Sequence, residues 1–273
     1  MTYHSQPMPV MRITALQTDI VWENKSENLR RLREQLTPLS GTTEIVVLPE
    51  TFHTGFTPNL AAMAEAPEGE TWQQLKHLAA EFKVALAGSM LVATDTSSAT
   101  PRYTNRAFFI TPEGNCHHYD KRHLFRMSHE AELLTPGTDR QPLHYRGWNI
   151  LLQVCYDLRF PVWSRNYHNA YDLLINVANW PASRRKAWDV LLQARAIENC
   201  CYVCGVNRIG IDNAGCKHNG GSIILSPRGE TLATVPDSCN GAATAELSLP
   251  DLQAFRHKFP AWKDGDAFSI YTL

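Results

Sequence analysis

The sequence predicts an α/β fold in which mixed β-sheets are covered by helices. Short apolar segments typical of buried strands alternate along the chain with amphipathic helical segments. Strand–turn–strand patterns around residues 112–115 and 227–230 indicate hairpins, so the sheets cannot be wholly parallel. No repeat, low-complexity tract or linker interrupts this pattern. We therefore expect one domain, residues 11–273, after an N-terminal extension, residues 1–10.

The individual elements follow from periodicity and turn signals. Apolar residues at helical spacing predict helices over residues 28–36, 71–82 and 187–199. Apolar or alternating segments predict strands over residues 11–16, 45–48, 84–92, 103–111, 116–119, 148–154, 173–177, 200–206, 222–225 and 231–235. Gly88 within the strand 84–92 is expected to allow a close approach. The Ser/Thr-rich segment 94–100 is predicted to be a loop between strands.

The composition argues against several classes of partner. The 273 residues are 44% hydrophobic and 19% charged, with a formal net charge of −1. This balance gives no electrostatic reason to expect a nucleic acid or an anionic membrane as partner. No apolar segment approaches the roughly 20 residues of a membrane span. Because residues 1–10 lack the basic and apolar regions of a signal peptide, we expect a cytoplasmic protein.

The seven cysteines are expected to be reduced, because a chain of this size needs no disulfides to fold. Cys201 and Cys204 have the C-x-x-C spacing of redox and zinc sites. Their neighbours include the apolar Val203 and Val206, however, and no second ligand pair follows. We interpret both cysteines as core residues of a buried strand.

Three reactive groups stand at the ends of predicted strands. Glu50 closes the apolar segment 44–49, and Lys121 follows the strand 116–119. Cys155 ends an apolar strand and is followed at once by polar, turn-prone residues. A carboxylate, an amine and a thiol in these positions suggest a cysteine hydrolase that uses no histidine.

The chemistry of the three groups fits acyl transfer. A free thiol has a pKa near roughly 8.5, so Cys155 needs a base at neutral pH, and a buried Glu50 can serve as that base. Lys121 and the backbone N–H of Tyr156 can donate to the oxygen of a tetrahedral intermediate. Each residue also has an ordinary explanation. A buried cysteine is usually core, Glu50 could lie at a helix N-terminus, and a lysine in a basic segment is usually solvated.

Taken together, these segments resemble the motifs of the nitrilase, or carbon–nitrogen hydrolase, superfamily. The matching segments are 46–50, 119–125 and 154–161, in the family's order and at its usual separations. Residues 105–106, 194–199, 221–222 and 226–230 agree as well. The resemblance extends from about residue 11 to the end of the last predicted hairpin.

This resemblance implies a four-layer αββα sandwich with mixed sheets, which pairs into a homodimer. It also implies a Glu–Lys–Cys triad, which maps onto Glu50, Lys121 and Cys155. Many members have a second glutamate that positions the lysine or the substrate. By spacing to the following Pro-Gly pair, we assign this role to Glu130 rather than Glu132. No metal ion and no organic cofactor are implied.

Within the superfamily the chain is most similar to the omega-amidases, also called 2-oxoglutaramate amidases. The similarity lies in the lysine and cysteine motifs and in residues 178–181 and 258–262. Such enzymes hydrolyse the terminal amide of short 2-oxo dicarboxylic acid monoamides, namely 2-oxoglutaramate and 2-oxosuccinamate. The products are the oxo acid and ammonia, and Cys155 would carry a thioester intermediate.

A substrate of this kind carries a carboxylate, for which an arginine is a suitable partner. Arg184 and Arg185 are the first candidates, and Arg126 and Arg159 are others. We expect Arg159 instead to brace the turn that follows it. Trp180 is predicted to form a wall of the pocket.

Three alternatives remain open from the sequence. A nitrilase, a carbamoyl-amine hydrolase or another amidase would share the triad and differ in the shape of its pocket. An inactive binding module on the same scaffold would have no reason to keep the three groups together. A thiol oxidoreductase or zinc protein built on Cys200, Cys201 and Cys204 lacks further ligands in the sequence.

Overall fold

The structure, a computed structural model, describes residues 9–94 and 101–271. These residues form seven α-helices and fourteen strands. The helices are α1 (Lys25–Leu36), α2 (Leu60–Met63), α3 (Glu70–Phe82), α4 (Glu130–Leu133), α5 (Pro161–Ser164), α6 (Arg185–Asn199) and α7 (Leu249–Lys258). The strands are β1 (Val10–Gln17), β2 (Ile45–Val47), β3 (Ala85–Ala93), β4 (Tyr103–Ile110), β5 (Cys116–Asp120), β6 (Leu143–Tyr145), β7 (Trp148–Val154), β8 (Leu173–Ala178), β9 (Tyr202–Asn207), β10 (Ile209–Ile211), β11 (Lys217–Asn219), β12 (Ile223–Leu225), β13 (Thr231–Thr234) and β14 (Gly241–Ser248).

Twelve of these strands form two six-stranded mixed sheets. The first sheet has the order β14–β1–β2–β3–β4–β5, and its strands β1, β2 and β3 are parallel. The second has the order β6–β7–β8–β9–β12–β13, and its strands β7, β8 and β9 are parallel. All other neighbours in both sheets pair antiparallel. The remaining strands, β10 and β11, form a separate hairpin.

The two sheets pack face to face, and helices cover their outer faces. Side chains of both sheets, including Ile13, Phe109 and Trp148, form one apolar core between them. On the outer faces, α1 and α3 pack against the first sheet, and α6 packs against the second through residues such as Trp188. These helices connect parallel strands, so each must cross back over a sheet face. The four-layer αββα sandwich is therefore confirmed.

The three helices predicted from the sequence, α1, α3 and α6, begin one to three residues earlier than predicted and end where predicted. Helix α1 begins at Lys25, three residues before the predicted start, because the side chain of Asn24 accepts a hydrogen bond from the backbone N–H of Glu27 (3.1 Å). The predicted close approach at Gly88 is confirmed. A Cβ atom there would lie 2.8 Å from the ring of Phe108.

Two predictions fall partly outside the described residues. Of the loop predicted over residues 94–100, the structure describes only Thr94. Residues 1–8 of the predicted N-terminal extension are also outside the described part, and Val10 already belongs to β1.

The structure also bears on the predictions about cysteines and membranes. All seven cysteines are described, and all are free thiols. Cys204 is buried between the sheets and Cys201 is buried beneath α6, which confirms that both are core residues. No helix within the described ranges is long and apolar enough to cross a membrane. The exposed face of α6 includes Val190 and Ile197, but the homodimer stays a prediction.

Candidate active site

A cavity of about 430 Å³ opens where strands of both sheets end. The first sheet contributes Glu50, after β2, and Lys121, directly after β5. The second contributes Cys155, directly after β7. Glu130, at the start of α4, completes the group. The structure thus brings together the three residues singled out from strand ends and the second glutamate chosen by spacing.

The Glu50 carboxylate is buried, with 1% of the residue exposed, and it is held at both oxygens. Oε1 accepts hydrogen bonds from Lys121 Nζ (2.9 Å) and from Asn105 Nδ2 (2.7 Å). Oε2 accepts one from the backbone N–H of Asn179 (2.7 Å). These donors offset the cost of burying a charge and fix the plane of the carboxylate.

The Lys121 ammonium group lies between two carboxylates. Besides Glu50, it donates to both oxygens of Glu130, at 2.7 and 3.0 Å. Burial lowers the pKa of Lys121, but the negative charges of Glu130 and Glu50 outweigh burial and hold the pKa well above its ordinary value. Lys121 is therefore a cation throughout the neutral pH range.

Glu130 is anchored independently of the lysine. Its Oε2 also accepts a hydrogen bond from the backbone N–H of Phe125 (2.7 Å). Burial raises the pKa of Glu130 and the charge of Glu50 adds to this rise, while Lys121 opposes both. By contrast Glu132 is exposed and pairs with His129. The choice of Glu130 over Glu132 is thus consistent with the geometry.

Cys155 occupies a sharp turn between β7 and a short 3₁₀ helix, Cys155–Arg159. Its φ angle is +45°, a left-handed conformation that a residue with a Cβ atom rarely adopts. Such strain costs on the order of 1–3 kcal/mol and is concentrated at functional sites. Burial raises the pKa of the Cys155 thiol, and the charge of Glu50 raises it further, although Lys121 opposes this. The resting group is therefore a thiol.

Asp157, which sequence reasoning did not single out, supports this turn. Its Oδ2 accepts hydrogen bonds from the hydroxyl of Tyr119 (2.7 Å) and the backbone N–H of Val154 (3.0 Å). Its Oδ1 accepts one from the backbone N–H of His123 (2.9 Å). Since Tyr119 and His123 flank Lys121, Asp157 ties the lysine segment to the cysteine turn.

The residues predicted to bind substrate are found in different places. Trp180 and Arg184 both line the cavity, and the guanidinium carbon of Arg184 lies 5.0 Å from the centre of the Phe125 ring. Arg185 does not line the cavity. Its guanidinium group is paired with Asp189 (2.7 Å) and Asp237 (2.8 Å). A side chain engaged by two carboxylates is a poor candidate for binding a third.

The expectation that Arg159 braces the following turn is wrong. The side chain lines the cavity, with its guanidinium carbon 5.0 Å from the centre of the Trp180 ring. The cause is the 3₁₀ helix, in which residues three apart share a face. Arg159 therefore lies on the same face as Tyr156, which also lines the cavity. Arg126, the other arginine considered, is exposed and is not among the lining residues.

Sequence reasoning missed the two asparagines that hold Glu50. Asn105 lies in a segment that matched the superfamily and Asn179 in one that matched the omega-amidases, and these matches were the only available signal for them. Asn179 Nδ2 also donates to the backbone carbonyl of Glu50 (3.0 Å) and to the hydroxyl of Thr51 (3.0 Å). The sequence around these asparagines does not indicate that they bind Glu50, because this contact forms only when the sheets pack together.

Comparison with known proteins agrees with this arrangement. The carbon–nitrogen hydrolase family model matches residues 12–257. The chain is 44% identical over 265 residues to the omega-amidase YafV of Escherichia coli K12, covering 97% of this chain and 100% of that protein. It is 31% identical over 256 residues to the 2-oxoglutaramate amidase of Bacillus subtilis 168, covering 92% of this chain and 96% of that one.

A solved structure matches the fold closely. XC1258 of Xanthomonas campestris, described as a CN-hydrolase superfamily protein with an arsenic adduct in its active site, superimposes with a TM-score of 0.92. It is 36% identical to this chain, and the match covers 97% of this chain and 100% of that one. The resemblance read from the sequence is confirmed. The chain belongs to the carbon–nitrogen hydrolase family and is an amidohydrolase.

Proposed function

We propose that this protein is an omega-amidase that hydrolyses the terminal amide of 2-oxoglutaramate and 2-oxosuccinamate. The observation that carries the proposal is the group Glu50, Lys121, Glu130 and Cys155 at the cavity, with cationic side chains on the cavity wall. Relatives named omega-amidase and 2-oxoglutaramate amidase, matched over more than nine-tenths of this chain, support the same substrate class.

In the first half-reaction the Cys155 sulfur attacks the amide carbon, and Glu50 accepts the thiol proton. A C–S bond forms as the carbonyl oxygen becomes an oxyanion. Glu50 then passes the proton to the amide nitrogen, the C–N bond breaks, and ammonia leaves a thioester on Cys155. A base of this kind contributes about 10²–10⁴-fold to the rate. A thiol with a raised pKa needs such a base because little thiolate is present beforehand.

In the second half-reaction a water molecule takes the place of ammonia. Glu50 accepts a proton from the water as its oxygen attacks the thioester carbon. The C–S bond then breaks, the acid is released, and the proton returns to the Cys155 sulfur. The same carboxylate thus serves both half-reactions, which requires the fixed orientation that Asn105 and Asn179 give it.

Lys121 and the backbone N–H of Tyr156 stabilise the oxyanion in both half-reactions. The lysine stays charged because its pKa lies well above the ordinary value. Loss of one such donor costs about 2.7–4 kcal/mol of transition-state stabilisation. Glu130 positions Lys121 by accepting two of its hydrogen bonds.

The carboxylate of the substrate binds to Arg184, with Arg159 as a second cation. Both side chains line the cavity, and among the described residues neither has an acidic side chain within ion-pair distance. The Trp180 ring forms a wall beneath Arg159. Arg185, although adjacent in sequence, is held by Asp189 and Asp237.

Ammonia release by the purified protein tests the proposal. 2-Oxoglutaramate and 2-oxosuccinamate would be compared with glutamine, asparagine, an aliphatic nitrile and a carbamoyl amine, each with wild type and Cys155→Ala. We expect fast, Cys155-dependent release from the two oxo-acid amides. Activity confined to the nitrile, the carbamoyl amine or another amide would contradict the substrate assignment. No ammonia release from any of these compounds would favour an inactive binding module.

A further inference from the structure

The rim of the cavity contains a second cluster of reactive side chains. The hairpin of β10 and β11 contributes Asp212, Cys216 and His218 to the same lining that contains Cys155. None of the three takes part in the proposed reaction. A carboxylate, a thiol and an imidazole on one short hairpin need a separate explanation.

The hairpin brings the three side chains close together. Ile211 pairs with Lys217, and the backbone N–H of Asp212 donates to the carbonyl of Cys216 (3.0 Å), so Asp212 and Cys216 face each other across the loop. One potential ligand atom from each of the three side chains lies within 4.8 Å of the other two. Asp212 Oδ2 and His218 Nε2 are 3.1 Å apart.

Much of this cluster is already ordered. Asp212 Oδ1 accepts hydrogen bonds from the backbone N–H groups of Ala214 (3.0 Å) and Cys216 (2.9 Å), which fixes the carboxylate. His218 is buried, with 4% of the residue exposed. Because Asp212 and His218 are already held in place, ligand binding would cost little side-chain entropy at these two residues.

The donor set is one that zinc prefers. Thiolate sulfur, imidazole nitrogen and carboxylate oxygen bind Zn²⁺ at about 2.0–2.3 Å, and four such ligands form a tetrahedron with edges of about 3.3–3.8 Å. Side-chain shifts of about 1 Å would bring the cluster to that size. We propose that Asp212, Cys216 and His218 bind Zn²⁺, or a similar soft divalent transition-metal ion, at the cavity rim, and that the bound ion restricts entry of substrate.

The charges of the ligands themselves balance such an ion. On binding, the Cys216 thiol forms an S–Zn bond and releases its proton to solvent. Asp212 and the Cys216 thiolate then supply two negative charges. Arg184 and Arg208 lie near Cys216 and oppose a cation, but Arg208 is paired with Asp19 (2.8 Å). Three protein ligands leave a fourth position for water.

Metal binding is tested in the full-length Cys155→Ala variant, so that the Cys155 thiol cannot bind the ion. Co²⁺ serves as the spectroscopic probe, because a thiolate ligand gives it a charge-transfer absorption band, and Zn²⁺ is titrated by calorimetry. We expect one equivalent to bind and the band to appear. Adding Cys216→Ser should abolish the band and weaken Zn²⁺ binding by at least about tenfold.

Two further variants make the binding test specific. Adding Cys239→Ser, which changes an exposed cysteine, should leave the band and the affinity unchanged. Adding Asp212→Asn should weaken Zn²⁺ binding and keep the band. Unchanged binding in the Cys216→Ser variant would overturn the proposal. So would loss of binding in Cys155→Ala alone, when compared with wild type, because the ion would then belong to Cys155.

The effect on substrate entry rests on the proposed function and is measured separately. For wild type and Cys216→Ser, ammonia release with Zn²⁺ is divided by release from the same variant in a chelator. Wild type should lose most of its activity and Cys216→Ser should lose little. Equal inhibition of both would overturn the claim about entry. The metal-binding test needs no substrate. It would therefore still decide whether the cluster binds Zn²⁺ if the protein proved not to be an omega-amidase.

Discussion

The two six-stranded sheets have the same arrangement of strands and supply different chemistry. In each, three parallel strands are flanked by one antiparallel strand on one side and two on the other. The central strand of the first sheet, β2, leads to Glu50, and the central strand of the second, β8, leads to Asn179. These equivalent ends meet, since the Asn179 N–H donates to the Glu50 carboxylate.

The difference between the sheets lies in which reactive group each one presents. The first sheet supplies the carboxylate and the amine, Glu50 and Lys121, whereas the second supplies the thiol of Cys155. Neither sheet contains a complete site. The cavity therefore forms only when the two sheets pack face to face. A substitution in the first sheet should affect proton transfer, whereas a substitution in the second should remove the thiol.

The largest effect is expected from removing the contribution of the second sheet. Cys155→Ala deletes the proposed nucleophile, and turnover of 2-oxoglutaramate should fall by at least about 10⁴-fold. Ammonia release measures the loss, and thermal unfolding checks that the fold is intact. Cys239→Ala, at an exposed cysteine, is the matched control and should keep wild-type turnover. Residual activity near wild type in Cys155→Ala would refute the nucleophile assignment.

The next effect is expected from the first sheet. Glu50→Gln keeps the shape of the side chain but removes the proposed base, so kcat should fall by about 10²–10⁴-fold. Glu132→Gln, which changes an exposed carboxylate, should leave kcat unchanged. The two variants would be compared under saturating 2-oxoglutaramate. If both retained full kcat, another group would have to move the proton.

A third prediction concerns the connection between the sheets. The Tyr119 hydroxyl on β5 donates to Asp157 and accepts from Trp163 Nε1 (2.9 Å) and from the Arg122 N–H (3.1 Å). Tyr119→Phe leaves these buried groups without that partner, so the free energy of unfolding should fall by about 1–3 kcal/mol. Urea denaturation of the variant and of wild type measures this change in the free energy of unfolding.

The matched control for this change is Tyr167→Phe, at a partly exposed tyrosine. It should change the free energy of unfolding by less than about 0.5 kcal/mol. An equally small change in Tyr119→Phe would show that the hydroxyl does not help to join the sheets.

The smallest effect is expected from the wall of the cavity. Arg184→Ala should raise KM for 2-oxoglutaramate about tenfold, equivalent to about 1.4 kcal/mol, because a charge-assisted contact with the substrate carboxylate is lost. Arg185→Ala should leave KM unchanged, since Asp189 and Asp237 already hold that side chain. Steady-state kinetics on both variants decides the matter, and the opposite pattern would transfer the role to Arg185.

The sequence predicted what local patterns encode. Apolar runs marked the central strands, and Glu50, Lys121 and Cys155 stood out because each is a reactive group at the end of a predicted strand. The family resemblance implied a second glutamate, and Glu130 could be chosen over Glu132 because the spacing to a Pro-Gly pair is a local property. These features do not depend on which elements become neighbours.

The remaining features depend on packing between distant segments. Asn179 meets Glu50 across 129 positions of sequence, and Asp157 meets Tyr119 across 38. Arg159 was misplaced because the 3₁₀ helix that turns it toward the cavity has no clear sequence signal. Strands β10 and β11 were missed because they are short, with exposed residues such as Ile211 and Lys217, and lack apolar periodicity.

The most direct test of the central claim is rapid-quench mass spectrometry of the enzyme during turnover of 2-oxoglutaramate. If packing of the two sheets brings the Cys155 thiol to the Glu50 base, a 2-oxoglutaryl thioester should appear on the peptide that contains Cys155. It should be absent from Cys155→Ser, and Glu50→Gln should form it far more slowly. Ammonia release at full rate with no acyl group on Cys155, or with an acyl group on another residue, would contradict the account.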